Sequence, residues 1–466
     1  MISEADLRNI SEVVGPAHLI TRTNDLEAYG SDATKLVYAP DAAAFPGTAD
    51  EVSKILQLAT REGFPVIPRG AGSGMSGGAL PVRGGLVLAM DRFDRILSID
   101  PDNLVAKVET GVITGRLQAA AEELGLFYPP DPASSDISTI GGNVAECAGG
   151  LRAVKYGVTR DYVLGLTMVI PTGEILEVGV KTAKGVAGYD LTRLVIGSEG
   201  TLAVITDITL RLLPKPETNR TMIAFFPDVS SAVRIVSRII ANRIIPTILE
   251  LMDRICVDAV KDEIEFPIPP RTGALLLMEV DGDEAAVARS ADMIRRVCEE
   301  GRALGFESAS GGEAVDRLWE ARRKLSPSLY KCRPHKISED VVVPRTRMPE
   351  LVSHLEALSR RYGLPIPAFG HAGDGNIHVN IMLDKSDPEE LEKAHDVVEK
   401  VFEKVLALGG TITGEHGIGI TKAPYLEMEI PRAGLELMQR IKKAFDPKGI
   451  LNPGKIFDGS GSKEWI

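Results

Sequence analysis

The spacing of apolar and polar positions changes character at Pro214-Lys-Pro216. Ahead of that point, 3–14 reads as a short capped helix. Thr48-Ala-Asp-Glu51 is a capping box opening another, with Val52, Ile55, Leu56 and Ala59 on one face and Gly63 ending it. Short apolar runs predict strands over 64–68, 86–90, 104–109 and 201–206, and a helix over 114–124 closed by Gly125. Beyond the break, strands at 221–226, 247–251 and 274–280 alternate with helices at 229–241, 254–260 and 283–304. A helix over 312–330 carries Trp319, Arg322, Arg323 and Lys324; strand, helix, strand and a hairpin near 370–380 follow, then a helix over 388–408. This second part predicts an α+β domain with a mainly antiparallel sheet.

Three glycine-rich segments punctuate the first part: 69–78, 139–150 and 197–200. Gly72, Gly74 and Gly77 match a dinucleotide fingerprint, and Gly74 to Gly78 matches a nucleophile elbow, but each motif must open a helix and this loop runs on into another strand. What remains is a loop of free backbone N–H groups after a strand, an anion nest suited to a pyrophosphate. The repetition suggests backbone pressed against one long ligand.

The hairpin carries the most distinctive chemistry. A two-residue turn at Asp374-Gly375 would set His371 opposite His378 and Phe369 opposite Asn380, all on one face. Opposed Cβ atoms lie about 4.5–5.5 Å apart, close enough for two imidazoles to share a metal ion. Glu415-His416, flanked by glycines, offers a carboxylate as third ligand, a set suited to zinc, manganese or iron. On chemistry alone, a metal site and a packed pair of core histidines both remain open.

With 466 residues, 44% hydrophobic and 25% charged, the chain has the composition of an ordinary soluble protein of two or three domains. A net charge of −12 argues against a nucleic-acid partner. The N-terminus lacks a signal pattern and no apolar run approaches the length of a membrane span, so a cytoplasmic location is expected. Cys147, Cys256, Cys298 and Cys332 are widely spaced and spell no metal–sulfur motif, so electrons handled here must leave through something else.

Pro-Arg-Gly-Ala-Gly-Ser-Gly, Thr-Ile-Gly-Gly-Asn, Gly-Ser-Glu-Gly-Thr-Leu, Gly-His-Ala-Gly-Asp-Gly-Asn-Ile-His, Gly-Glu-His-Gly-Ile-Gly and Leu-Asn-Pro-Gly-Lys occur in an order that resembles the FAD-linked D-2-hydroxyacid dehydrogenases of the vanillyl-alcohol oxidase and p-cresol methylhydroxylase superfamily. Glycolate oxidase flavin subunits, D-lactate dehydrogenases and D-2-hydroxyglutarate dehydrogenases belong there. The resemblance implies a two-subdomain FAD-binding domain over 1–216, a substrate or cap domain over 217–430, and a segment over 431–466 returning to the first domain. The pyrophosphate would lie on Arg69, Gly70, Ala71, Gly72, Ser73, Gly74, Met75 and Gly77, and the isoalloxazine side along Thr139, Gly141, Gly142, Asn143, Ala145 and Gly149. Further cofactor contacts are implied at Pro130, Asp131, Tyr156, Gly157, Glu199, Gly200, Ile205 and Asn452. His18 is the only histidine before His335 and precedes the glycine loops, so the FAD is expected to be noncovalent.

The same resemblance makes His371, His378 and Glu415 the metal ligands, His416 the general base, and Asn380 and Arg322 substrate contacts, Arg322 clamping the carboxylate with Arg323 as the other possibility. Members acting on dicarboxylates use a lysine where Ser338 stands here, Lys336 being only nearby; this favours a small monocarboxylate such as D-lactate or glycolate over D-2-hydroxyglutarate. Hydride would pass from C2 to FAD, and the electrons onward to an electron-transfer flavoprotein or an iron–sulfur subunit. Rival readings are an oxidase using oxygen directly, a flavin-free metal hydrolase and a noncatalytic flavin subunit. A homodimer is compatible with all of these.

Overall fold

The computed structural model describes residues 1–182 and 184–457. By internal contacts the described chain divides into two units, the first holding 1–149, 158–215 and 415–457, the second holding 150–157 and 216–414. The sequence reading had set the second boundary at 430 and had left 150–157 with the first domain.

Caps written in the sequence delimit the first unit's helices. Ser3 caps Glu4–Val14, and Thr48 Oγ1 accepts the Glu51 N–H at the start of Ala49–Glu62, which Gly63 ends in the left-handed conformation. The apolar face of the second helix, Val52, Ile55, Leu56 and Ala59, packs with Ile10 against a four-stranded sheet. Its strands run in the order Leu19–Ile20, Ala42–Ala44, Leu86–Ala89, Val66–Arg69, the last three mutually parallel. The tail returns beside Val66, which donates to Ile450 O and accepts from Asn452 N–H, both at 2.8 Å. A second sheet of five antiparallel strands has the order Ile96–Asp100, Val105–Glu109, Val204–Arg211, Val163–Val169, Ile175–Gly179. The strand expected at 201–206 starts three residues later, because Ser198 to Thr201 close a turn.

The glycine segment 139–150 contains a helix, Ile140–Glu146, which the sequence reading did not separate from the surrounding loop. Two consecutive glycines disfavour a helix by about 1 kcal/mol each. Here Thr139 Oγ1 caps it by accepting the Gly142 N–H (3.1 Å), and a side chain at Gly141 would collide with Thr110 Oγ1.

The second unit is built on a seven-stranded antiparallel sheet. Its first four strands lie in the order Gly305–Ala309, Thr218–Phe226, Ala274–Gly282, Ile248–Asp253, the order of a ferredoxin-like split βαβ arrangement, with helices Val229–Ala241 and Glu284–Glu300 as crossovers. Ala368–His371, Asn376–Leu383 and His335–Val342 extend it. Helices Arg254–Val260 and Gly312–Ser328 pack on the face carrying Ile223, Phe225, Leu275, Leu277, Met252 and Phe369. Strand alternation places Glu250, His371, His378, Asn380 and Asp340 on that same face. Among the described residues no helix is long and apolar enough to cross a membrane.

Candidate active site

In the second unit the hairpin register differs from the expected one. Phe369, not His371, stands opposite His378, and the strands are joined by residues 372–375 rather than by two. Gly375 is used differently from a hairpin-turn glycine. It has φ +91°, its carbonyl accepts the Val343 N–H at 3.1 Å, and a side chain there would collide with the Val343 carbonyl oxygen. Asp374 Oδ1 takes the Asn376 N–H (3.1 Å), closing the longer turn. A shift of two residues keeps every side chain on its expected face. The two imidazoles therefore still meet, with ring centroids 5.2 Å apart and nearly perpendicular planes.

Each histidine has a buried carboxylate that sequence reasoning missed. His371 stands opposite Glu250, and its Nδ1 is hydrogen-bonded to Glu250 Oε1. That contact fixes the orientation of the ring. His378 stands opposite Asp340, with Nδ1 3.7 Å from Oδ1. Asp340 also accepts from Asn376 Nδ2 (2.5 Å) and from the Gly414 N–H (2.9 Å). Glu415 is the next residue along the chain. Glu250 further accepts from Arg322 Nε at 2.7 Å, and the Arg322 guanidinium lies over the Phe369 ring, 4.8 Å from its centroid. Burial would raise the Glu250 carboxyl, but the charges of His371 and Arg322 outweigh it and hold the group down at about 2. The overlooked signal was an acid inside the apolar run Ile248-Leu-Glu-Leu-Met252.

Arg322 and Arg323 are told apart by their partners: Arg323 is bound to Asp316 on the exposed side of its helix. Asn380 is fully buried opposite Ser338, accepting from Ser338 Oγ at 3.2 Å and donating to His378 O at 3.3 Å. Lys336 donates to Ser326 Oγ at 3.0 Å.

The first unit contains a cleft of about 250 Å³. Its lining includes Arg69 to Met75 of the first glycine loop, Thr139, Gly141, Gly142, Asn143, Ala145 and Gly149 of the second, and Glu199, Gly200 and Ile205. Glu415 and His416 line it too, and a Cβ at Gly149 would lie 2.6 Å from Glu415 Oε2. Six expected cofactor residues are not in the lining. Gly77 packs under Ile420, and Pro130 receives a hydrogen bond from Gln118 through its carbonyl, next to Asp131 and to the lining residue Pro132. Tyr156 and Gly157 belong to the second unit, where Tyr156 donates to Asp281 at 2.8 Å. Asn452 sits behind the wall, donating to Gly78 O (2.9 Å) and Glu199 O (2.7 Å). Glu146, Thr110, Ser134 and Ser138 line the cleft without having been singled out.

Residues 40–179 match the model described as "FAD binding domain", and 215–456 match "FAD linked oxidases, C-terminal domain". The chain is 43% identical to the glycolate oxidase subunit GlcD of Bacillus subtilis, over 100% of this chain and 99% of that one. It is 35% identical to a D-lactate dehydrogenase of Anaerostipes hadrus (90% and 89% covered) and 33% identical to a D-2-hydroxyglutarate dehydrogenase of Stutzerimonas stutzeri (98% and 100%). The chain belongs to the FAD-linked D-2-hydroxyacid dehydrogenase family. Its fold is also that of p-cresol methylhydroxylase, whose structure superposes with a TM-score of 0.80 at 17% identity over 98% of both chains.

The cleft of this FAD-linked oxidoreductase fits a dinucleotide. Arg69 Nη2 holds Ala28 O (3.0 Å) and Ser31 O (2.7 Å), while its buried Nη1 has no acceptor among the described residues. A buried guanidinium edge beside a glycine loop is what a pyrophosphate would satisfy. In the second unit the His371 and His378 rings meet and Asp340 Oδ1 lies 3.7 Å from His378 Nδ1, and imidazole and carboxylate are donor types that zinc, manganese or iron accept.

Proposed function

We propose that the protein oxidises a small D-2-hydroxy monocarboxylate, D-lactate or glycolate, to the 2-keto acid, with noncovalent FAD and a divalent cation. Its electrons go to a partner, an electron-transfer flavoprotein or an iron–sulfur subunit. One observation carries the substrate class. Glu250 and Phe369 fix the Arg322 guanidinium through Nε and one ring face, and both terminal nitrogens have no acceptor among the described residues. A planar pair of donors held this way suits one carboxylate. Ser338, which binds Asn380, and Lys336, which is bound to Ser326, supply no comparable clamp for a second carboxylate.

Bound FAD would supply the hydride acceptor, and a bound zinc, manganese or iron would supply the charge that lowers the pKa of the substrate hydroxyl. His371 and His378 would hold the cation in the second unit, and family resemblance implies Glu415 as the third ligand. Glu250 fixes the orientation of the His371 ring through Nδ1. A ring nitrogen of His416 takes the hydroxyl proton, a task suited to imidazole at neutral pH. A named subunit of glycolate oxidase as a 43% identical relative supports the use of a partner.

The test is Arg322→Lys, which keeps charge but loses the planar fork. KM for the hydroxy acid should rise at least tenfold with FAD content unchanged; an unchanged KM would remove Arg322 from the substrate site. Turnover with an artificial acceptor but without oxygen uptake separates a dehydrogenase from an oxidase.

A further inference from the structure

Glu146 ends the helix Ile140–Glu146 and lines the dinucleotide cleft, yet nothing above gives its carboxyl a task. Oε2 is sealed from solvent without a hydrogen-bond partner among the described residues. Oε1 lies beside the first glycine loop, 2.7 Å from where a Cβ on Gly78 would stand and 3.8 Å from one on Gly74. Its neighbour Glu199 is served differently. Oε1 of Glu199 accepts the Ile418 N–H at 2.7 Å and Oε2 the Gly419 N–H at 2.6 Å.

Both carboxyls crowd the α-carbon of Gly417. A Cβ there would collide with Glu146 Oε2 and stand 3.0 Å from Glu199 Oε1. Two carboxylates at such range cannot both ionise in a buried site, and hydrogen bonds to the charged form decide which one does. Burial pushes the Glu199 carboxyl up too, but two backbone donors oppose it there and none among the described residues serves Glu146 Oε2, so the proton belongs to Glu146. Burial, then Glu199, then Asp32 push the Glu146 carboxyl well above the usual range, against the opposing pull of Lys455.

We propose that Glu146 stands in the cleft as a neutral carboxylic acid and is a cofactor-binding residue, hydrogen-bonding the bound FAD through its cleft-facing oxygen and adding no charge beside the anionic dinucleotide. This rests on the cleft being the FAD site. The groups bearing on Glu146 are Glu199 from the 197–200 segment, Asp32 from the N-terminal segment and Lys455 from the tail. Glu415 and His416 line the same cleft.

The experiment strips FAD from the full-length protein and from Glu146→Gln and Glu146→Leu, then titrates FAD back between pH 7 and pH 10 by flavin fluorescence. At pH 7 the Gln variant, neutral and of the same size, should bind within about threefold of wild type, and the Leu variant at least tenfold more weakly. Wild-type affinity should fall more steeply with rising pH than that of the Gln variant, the difference separating Glu146 from the nearby Lys455 ammonium, which itself titrates at about 8. A Leu variant that binds like wild type would remove the hydrogen bond. A Gln variant that follows the wild-type pH slope would place the dependence on Lys455 or another group and overturn the assignment. Should the Leu variant fail to fold, the Gln comparison decides alone. Failure of wild type to bind FAD would instead break the reading of the cleft itself.

Discussion

Glu250 is the residue through which the second unit's polar face can be tested most sharply. Its carboxyl is fully buried and shared by Arg322, whose side chain is 16% exposed, and His371. Glu250→Gln keeps the shape but removes the charge, leaving a guanidinium without its counterion. Breaking a buried pair from one side costs about 3–5 kcal/mol. The carboxyl is held at about 2 against an ordinary 4.5, and at about 1.4 kcal/mol per pH unit that displacement corresponds to about 3 kcal/mol. Because Arg322 keeps some contact with water, the lower end is expected. Urea denaturation of full-length Glu250→Gln should therefore lose about 3 kcal/mol. Arg322→Met and the double variant complete a cycle in which the double loses at least about 1.5 kcal/mol less than the sum of the singles, since no orphaned guanidinium remains. A Gln variant within about 0.5 kcal/mol of wild type, or additive losses, would show that Glu250 does not organise this face.

Other outcomes follow from the same geometry. Gly141→Ala drives a methyl into Thr110 Oγ1 at the start of the cleft-lining helix, so about 1–3 kcal/mol of stability and at least tenfold in FAD affinity should be lost; unchanged FAD binding would separate that helix from the cofactor. Replacing His371 or His378 by Ala should remove metal, read by elemental analysis, together with activity, while FAD stays bound; activity retained without metal would end the metal role. Burial lowers the Lys455 ammonium to about 8, so the fold is penalised by its charge below that pH, and the penalty fades as pH climbs toward the unfolded value of 10.5. The stability of wild type relative to Lys455→Met should accordingly rise between pH 8 and pH 10, as read from denaturation midpoints; a constant difference would contradict the shift.

Much of this molecule was legible from local rules. The capping box at Thr48, the helix end at Gly63 and the strand following the first glycine loop are short-range signals, and the folded chain keeps them. The hairpin register was not, because the sequence at Asp374-Gly375 contains no sign of Val343. That neighbour claims Gly375 through a hydrogen bond and a close approach, and it lengthens the turn. The helix at Ile140–Glu146 escaped for a related reason: Gly141 faces Thr110, a tertiary neighbour that leaves room for no side chain there and overrides the poor helix propensity of glycine. Glu250 and Asp340 looked like ordinary strand residues, since only the pairing of distant strands sets them beside His371 and His378. Glu146 was passed over because its meaning depends on Glu199 and Gly417, far off in sequence and adjacent in space. The identities of the side chains predict the chemistry; their partners emerge only from the sheet.

The measurement that bears most directly on the central claim is an anaerobic visible spectrum of the purified protein before and after adding D-lactate, glycolate, L-lactate or D-2-hydroxyglutarate. Flavin bands should be present, and D-lactate or glycolate should bleach them within the mixing time while L-lactate leaves them unchanged. Bleaching by D-2-hydroxyglutarate alone would contradict the single-carboxylate site at Arg322, and a colourless protein that cannot be reconstituted with FAD would contradict the whole functional assignment.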